Sequence, residues 1–142
     1  MPPTETPWTL TIHSDLSLLA LARAFVEGVC RVANLDDVVT HAVVLATDEA
    51  MNNVIRHAHH NQPDLPIQVL CYLHPDSIEI LLHDQGDPFD IEQVPHMDPT
   101  EMRIGGRGVF LMRRLMDELT TCRRPDRGNV LRMVKRCSAV PA

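Results

Sequence analysis

Three short segments of the chain carry side chains whose types and spacing suit them to chemistry. In the first, Glu49-Ala50-Met51-Asn52-Asn53-Val54-Ile55-Arg56-His57, the glutamate and Asn53 stand one helical turn apart. A spacing of four places both on one helix face, which continues toward the N-terminus through Val38, Ala42 and Leu45. A carboxylate on a buriable stripe is costly unless it is paired, hydrogen-bonded or put to use. Asn53 offers a hard amide oxygen suited to Mg²⁺, which takes few protein ligands and completes its octahedron with water and phosphate oxygens. Glu49 could then accept a proton from an attacking hydroxyl. The same spacing also fits a helix whose exposed edge carries Glu and Asn.

The second segment, His83-Asp84-Gln85-Gly86-Asp87-Pro88-Phe89-Asp90, leaves the end of an apolar run. An acceptor-only carboxylate at Asp84 is suited to an exocyclic amino group such as that of adenine, and Gly86 lets a flat ring come close. Asp-x-Gly is equally an ordinary turn sequence. In the third segment, Arg103-Ile104-Gly105-Gly106-Arg107-Gly108-Val109-Phe110, glycines lead straight into a helix. Backbone without side chains, followed by a helix N-terminus, presents unpaired N–H groups and a positive dipole end to phosphates. Arg103 and Arg107 add charge to such a cradle, and a glycine hinge is the competing reading. The glycines follow a loop rather than a strand, which argues against a dinucleotide-binding fingerprint.

The elements that must position these segments are legible in part. Trp8 to His13 alternates with period two and reads as a strand, and Ser14 or Asp15 is placed to cap a helix from about Leu16 to Val32. A long helical pattern runs from Asp37 to about His60. Ile67 to Leu73 and Ile78 to His83 read as a hairpin around Pro75-Asp76-Ser77. A segment rich in proline and glycine, about 87–108, is too long for an ordinary connection and is expected to be a lid. Val109 to Leu119 has helical spacing, and Thr120 to Cys122 with Val130 to Val134 reads as a closing strand pair. The expected architecture is an α/β sandwich of the α+β class, with three helices on one face of a mixed, mostly antiparallel sheet.

Composition bounds the rest. With 142 residues, 44% of them hydrophobic, one domain spanning 1–142 with one core is expected. Thirteen basic against 19 acidic residues leave a net charge of −6, which speaks against direct nucleic-acid binding. No stretch approaches the ~20 apolar residues of a membrane span, and no targeting segment is legible at the N-terminus, so a cytoplasmic location is expected. The four cysteines lack a C-x-x-C pair and read as free, mostly buried thiols. His57, His59 and His60 are dense but lack zinc-site geometry, and are expected to be exposed at a helix end.

In their order and separation the three segments resemble the N-box and the two glycine boxes of the GHKL ATPase superfamily. They are most similar to its small stand-alone branch, the anti-sigma-factor serine/threonine kinases of the RsbW type. Residues 105–119, Gly-Gly-Arg-Gly-Val-Phe-Leu-Met-Arg-Arg-Leu-Met-Asp-Glu-Leu, carry the most specific part of the likeness. The resemblance implies a Bergerat-type ATP-binding fold with a flexible lid, ATP and Mg²⁺ as ligands, Glu49 as catalytic base and Asn53 as the Mg²⁺ ligand. Nucleotide contacts are implied at Asn53, His57, Asp84, Gly86, Arg103, Gly105, Gly106, Arg107, Gly108, Val109 and Asn129. Asn129 follows Gly128 where a threonine is often found in such domains, and it too can hydrogen-bond. The implied partners are a STAS-type anti-anti-sigma protein carrying the phosphorylated Ser or Thr, a sigma factor, and a second copy of the chain as a homodimer. Alternatives from the same likeness are a nucleotide-gated adaptor without transfer, and a switch kinase that does not bind sigma.

Overall fold

The computed structural model describes residues 5–93 and 107–137. Strand β1, Trp8–His13, leads through a single 3₁₀ turn at Leu16–Leu18 into helix α1, Leu19–Val32. Asp15 begins that turn by accepting a hydrogen bond from the Ser17 amide at 2.9 Å. In α1 the buried residues Leu19, Ala22, Val26, Val29 and Cys30 recur at three to four residue steps, so one stripe faces the core. Helix α2, Asp37–Asn53, starts where the Asp36 carboxylate caps the Val39 amide at 2.8 Å.

The end of α2 departs from the expected continuous helix to about His60. Val54–Ala58 forms a π-helical turn, with the His59 amide donating to the Val54 carbonyl at 2.8 Å. One extra residue in the turn rotates the residues beyond it relative to an α-helix. His59 consequently points inward and is only 1% exposed, against the expectation that His57, His59 and His60 all lie at the surface. His57 and His60 are exposed as expected.

Strands β2, Pro66–His74, and β3, Ser77–His83, form the hairpin. After helix α3, Arg107–Leu115, the chain closes with β4, Glu118–Arg123, and β5, Asn129–Arg136. Among the described residues the five strands order as β1-β2-β3-β5-β4 and every neighbouring pair is antiparallel, in keeping with the mostly antiparallel sheet expected. The α1–α2 connection returns the chain against β1 rather than along it, so β2 pairs antiparallel with β1.

Registers explain which side is buried. Val69 pairs with Leu82 and Leu82 with Leu131, and this row packs with α1, α2 and α3 residues into a single core. Alternate residues such as Gln68, Glu79 and Arg132 lie on the other face, where Arg132 pairs with Glu79. On α2 the buried stripe is Val39, Val43, Ala46 and Ala50, and Val38 is 78% exposed. Val38 therefore sits outside the buriable face that its apolar character suggested.

Two other expectations shift. Helix α3 stops at Leu115 rather than continuing to Leu119, because the Asp117 amide donates to the Val134 carbonyl at 2.8 Å and commits the chain to the sheet. The i, i+4 pair Leu115 and Leu119 fits either element, and Leu119 faces the core from β4. Among the thiols, Cys30 and Cys71 are buried but Cys122 is exposed, since β4 is an edge strand. Burial pushes the Cys30 thiol up to about 11 and the Cys71 thiol up to about 12, so both remain unreactive thiols at neutral pH.

Removing the α2 cap tests this local account. Asp36→Ala is expected to cost about 1 kcal/mol. A thermal melt would show it as a drop of about 3–5 °C, and an unchanged midpoint would mean the cap contributes nothing.

Candidate functional site

Asp84 leaves the end of β3 and is 3% exposed, so its carboxylate needs donors. Oδ1 receives three: the Gly86 amide at 2.9 Å, the Asn129 amide at 2.9 Å and the Asn129 Nδ2 at 3.1 Å. Oδ2 has only a longer contact from the same Nδ2, at 3.3 Å. One carboxylate oxygen is thus saturated and fixed, and the other retains capacity to accept a hydrogen bond. The backbone is held as tightly. The Asp84 amide donates to the Asn129 carbonyl at 3.0 Å, and the Asp84 carbonyl accepts from Arg124 at 2.9 Å.

Two glycines make these approaches possible. Gly128 has φ +101°, and a Cβ there would lie 1.9 Å from the Asp84 carbonyl oxygen. At Gly86 a Cβ would lie 2.2 Å from the Ala58 carbonyl oxygen, so the loop after β3 packs backbone to backbone on the π turn that follows α2. Asn129 is itself locked. Its Nδ2 also donates to the Asp87 carbonyl at 2.8 Å, and its Oδ1 accepts from the Phe89 amide at 3.0 Å and from Arg123 at 3.2 Å. These bonds make Asn129 the support of Asp84.

The edge of α2 supplies the second part. A cleft of about 420 Å³ is lined by Glu49, Asn53, Arg56 and His57 on one side and by Arg107 and Gly108 on the other. Gly108 lies so close that a Cβ on it would stand 2.8 Å from Glu49 Oε2 and 3.7 Å from Asn53 Oδ1. The first turn of α3 therefore faces the two polar residues of α2, and the positive end of its dipole, with Arg107, lies at the cleft. Asn53 also lines a narrow crevice with Asp84, Asn129, Phe89 and Ile91. Its buried Nδ2 has no hydrogen-bond partner among the described residues, which leaves the amide available to a ligand.

That crevice is nearly closed, with about 10 Å³ of free volume, room for about one water. Ile91, 1% exposed, and Phe89 cover it. The Ile91 amide donates to Thr121 Oγ1 at 2.9 Å, and Arg113 donates to the Ile91 carbonyl at 2.8 Å. A planar base could enter only if this short strap moved outward.

Glu49, Asn53, His57, Arg107 and Gly108 meet at the cleft, and Asp84, Gly86 and Asn129 meet beside the crevice. Val109 turns its side chain into the core, at 2% exposure. Arg103, Gly105 and Gly106, with most of the expected lid, lie outside the described residues. Arg56 was missed, although its spacing of three from Asn53 places it on the same helical edge. His59 was missed because only the π turn directs it inward. Among the described residues no group of three or more His, Cys, Asp or Glu could hold a metal ion. The donor set at the cleft, an amide oxygen beside a carboxylate, suits a hard cation such as Mg²⁺ that keeps waters and phosphate oxygens.

A family described as the histidine kinase-like ATPase domain matches residues 12–135. The chain is similar to the serine-protein kinase RsbW of Listeria innocua serovar 6a, at 29% identity over 119 residues, covering 78% of this chain and 76% of that protein. It is also similar to the serine-protein kinase RsbW of Staphylococcus epidermidis, at 29% identity over 137 residues, covering 89% of this chain and 84% of that one. No helix among the described residues is long and apolar enough to cross a membrane.

Two histidines beside Asp84 couple this region to pH. Burial lowers the His59 imidazole below its ordinary value, with Asp84 opposing and Arg127 reinforcing the shift. His83 is lowered likewise by burial and then by Arg124, against Asp84. Above about pH 6.5 both rings are neutral folded or unfolded, and their protonation costs no stability. Below it the unfolded chain takes up protons that the folded chain resists, so stability falls with pH. The melting midpoint should be flat near pH 7 to 8 and decline between about pH 6.5 and pH 5. A midpoint that rises as the pH is lowered through that window would contradict the burial of these rings.

Proposed function

The chain belongs to the histidine kinase-like ATPase domain family, and on that premise we propose that it binds ATP with Mg²⁺ and transfers the terminal phosphoryl group to a serine or threonine of a partner protein. The observation that carries this reading is the position of Asn53. Its side chain, whose buried Nδ2 has no partner among the described residues, walls both the cleft of Glu49, Arg107 and Gly108 and the crevice of Asp84 and Asn129. A purine at Asp84 would then lead its phosphates past Asn53 toward the N-terminus of α3. The similarity to proteins named serine-protein kinase RsbW supports transfer to a protein hydroxyl.

In this reading Asp84 Oδ2 accepts from the exocyclic amine of adenine, because Oδ1 is already saturated. The Asn53 amide oxygen would hold Mg²⁺, which would supply neutralising charge to the phosphate oxygens. Arg107, Arg56 and the first amides of α3 offset the remaining negative charge at the cleft. Glu49, one turn before Asn53, would accept the proton of the partner's hydroxyl as that oxygen bonds to the terminal phosphorus and the bond from that phosphorus to the departing ADP breaks. The enzyme supplies positioning and charge, and needs no covalent intermediate of its own.

The likeness to the anti-sigma kinase branch supports a STAS-type anti-anti-sigma protein as the phosphoacceptor. A sigma factor is then the competing partner, released or held according to the phosphorylation state of the first. We propose a homodimer in the cytoplasm as the working form, with the expected lid at about 87–108 closing over the nucleotide. The nearly closed crevice favours one second reading, in which nucleotide entry serves to rearrange the strap at Phe89 and Ile91 and gates partner binding without transfer.

Incubation with γ-labelled ATP, Mg²⁺ and a STAS-domain protein encoded beside this chain separates the two. Transfer to that protein is expected, with Glu49→Ala lowering its rate by about 10²–10⁴ while ATP affinity changes little. Undiminished transfer in Glu49→Ala would remove the glutamate from the base role. ATP binding and complex formation without any phosphoprotein would favour the gated module.

A further inference from the structure

The π turn at the end of α2 does more than terminate a helix. It swings three consecutive residues onto the loop beyond Asp84. The Ala58 carbonyl accepts from the Asp87 amide at 3.0 Å, and His60 Nε2 meets Asp87 Oδ2 at 2.7 Å. Between them, buried at 1% exposure, the His59 ring accepts the Gln85 amide proton on Nε2 at 3.0 Å. An acceptor at Nε2 puts the proton of the neutral ring on Nδ1, and Nδ1 is buried with no partner among the described residues. A buried donor left unpaired is a cost that an apolar side chain of similar size would avoid. The compensating gain must lie at Nε2.

What Nε2 holds is the residue between the two ends of the base-anchoring turn. Gln85 sits between Asp84, whose Oδ1 is bonded, and Gly86, whose amide makes one of those bonds. The Gln85 amide shares one peptide plane with the Asp84 carbonyl, so its bond to His59 holds the backbone from which the Asp84 carboxylate projects and from which the Gly86 amide reaches Oδ1. The same ring sits six residues beyond Asn53, on the residue that caps the π turn continuing α2. His59 thereby ties the metal-side helix to the purine-side loop through one hydrogen bond.

We propose that His59 is a positioning residue for purine selectivity: its Nε2 holds the Gln85 amide so that Asp84 Oδ2 is aimed at an exocyclic amine, favouring adenine over a purine bearing a carbonyl at that position. The proposal rests on the nucleotide-binding reading above and adds to it a residue that touches no nucleotide. A neutral ring is required, since a proton on Nε2 would remove the acceptor. Burial, the factor that disfavours charge on this ring, acts in the same direction.

Calorimetric titration of the purified protein with ATP and with ITP, both with Mg²⁺, tests it. ITP carries the same phosphates but a carbonyl where adenine has its amine. Wild type is expected to prefer ATP. His59→Phe and His59→Leu, which keep bulk but lose the acceptor, should weaken ATP about tenfold and leave ITP nearly unchanged, so that the preference collapses. His59→Gln, whose Oε1 can reach the place of Nε2, should restore the wild-type ATP to ITP ratio. Packing alone would lower both affinities by one factor in every variant, and that result would overturn the proposal. So would a full ATP preference in the Phe or Leu variant, or its collapse in the Gln variant, which alone decides the matter if the apolar variants do not fold. Wild type that binds ATP without preferring it over ITP would overturn the selectivity role and leave nucleotide binding standing. Wild type that binds neither nucleotide would overturn the nucleotide-binding reading and this proposal together.

Discussion

The site depends on one buried carboxylate. Asp84 brings a formal charge to the end of β3, where the sheet meets the loop, and burying such a group is tolerable only when donors surround it. The donors come from two places far apart in sequence, Gly86 just beyond it and Asn129 at the start of β5. Satisfying Asp84 therefore closes the end of the sheet. It forces backbone approaches that only glycine allows at Gly128 and Gly86, draws Arg124 onto the carbonyl, and occupies Asn129 completely. The asymmetry that results, one oxygen saturated and one with capacity left, gives the carboxylate a direction.

Helix α2 meets a different constraint with the same residues. One stripe of it, from Val39 to Ala50, is core, and removal of that apolar surface from water contributes roughly 1.5–3 kcal/mol for each large side chain buried. Its adjoining edge carries Glu49, Asn53 and Arg56 to the cleft. Because the edge is continuous with a rigid buried stripe, the polar groups inherit its position. The π turn then changes the rotation of the chain by one residue and joins this edge to the loop of Asp84. Helix α3, starting at Arg107, presents its N-terminus from the opposite wall.

Much of this was legible in the residues. Period-two runs located β1, β2 and β3 within a residue or two, and the Glu49 and Asn53 spacing predicted one shared face because four residues make about one turn. Other features depended on contacts that no local pattern encodes. Leu119 suits a helix or a strand, and the bond from Asp117 to Val134 decides for the strand. Val38 is apolar yet exposed because the α2 stripe is rotated by one position toward Val39. His59 looked like a surface histidine because a π turn leaves no compositional mark. The bonds of Asn129 to Asp84, Asp87, Phe89 and Arg123 give it a supporting part that depends on the long-range pairing of β3 with β5, which no local pattern encodes.

The most direct measurement of the central claim is the affinity of Asp84→Asn for ATP, determined by calorimetry beside the wild-type chain. The substitution preserves size and one acceptor, but replaces the other oxygen with a donor that would oppose both Asn129 Nδ2 and an incoming amine. The account predicts a folded protein whose ATP affinity is about 10- to 100-fold weaker. A folded Asp84→Asn protein that binds ATP as tightly as wild type would contradict it.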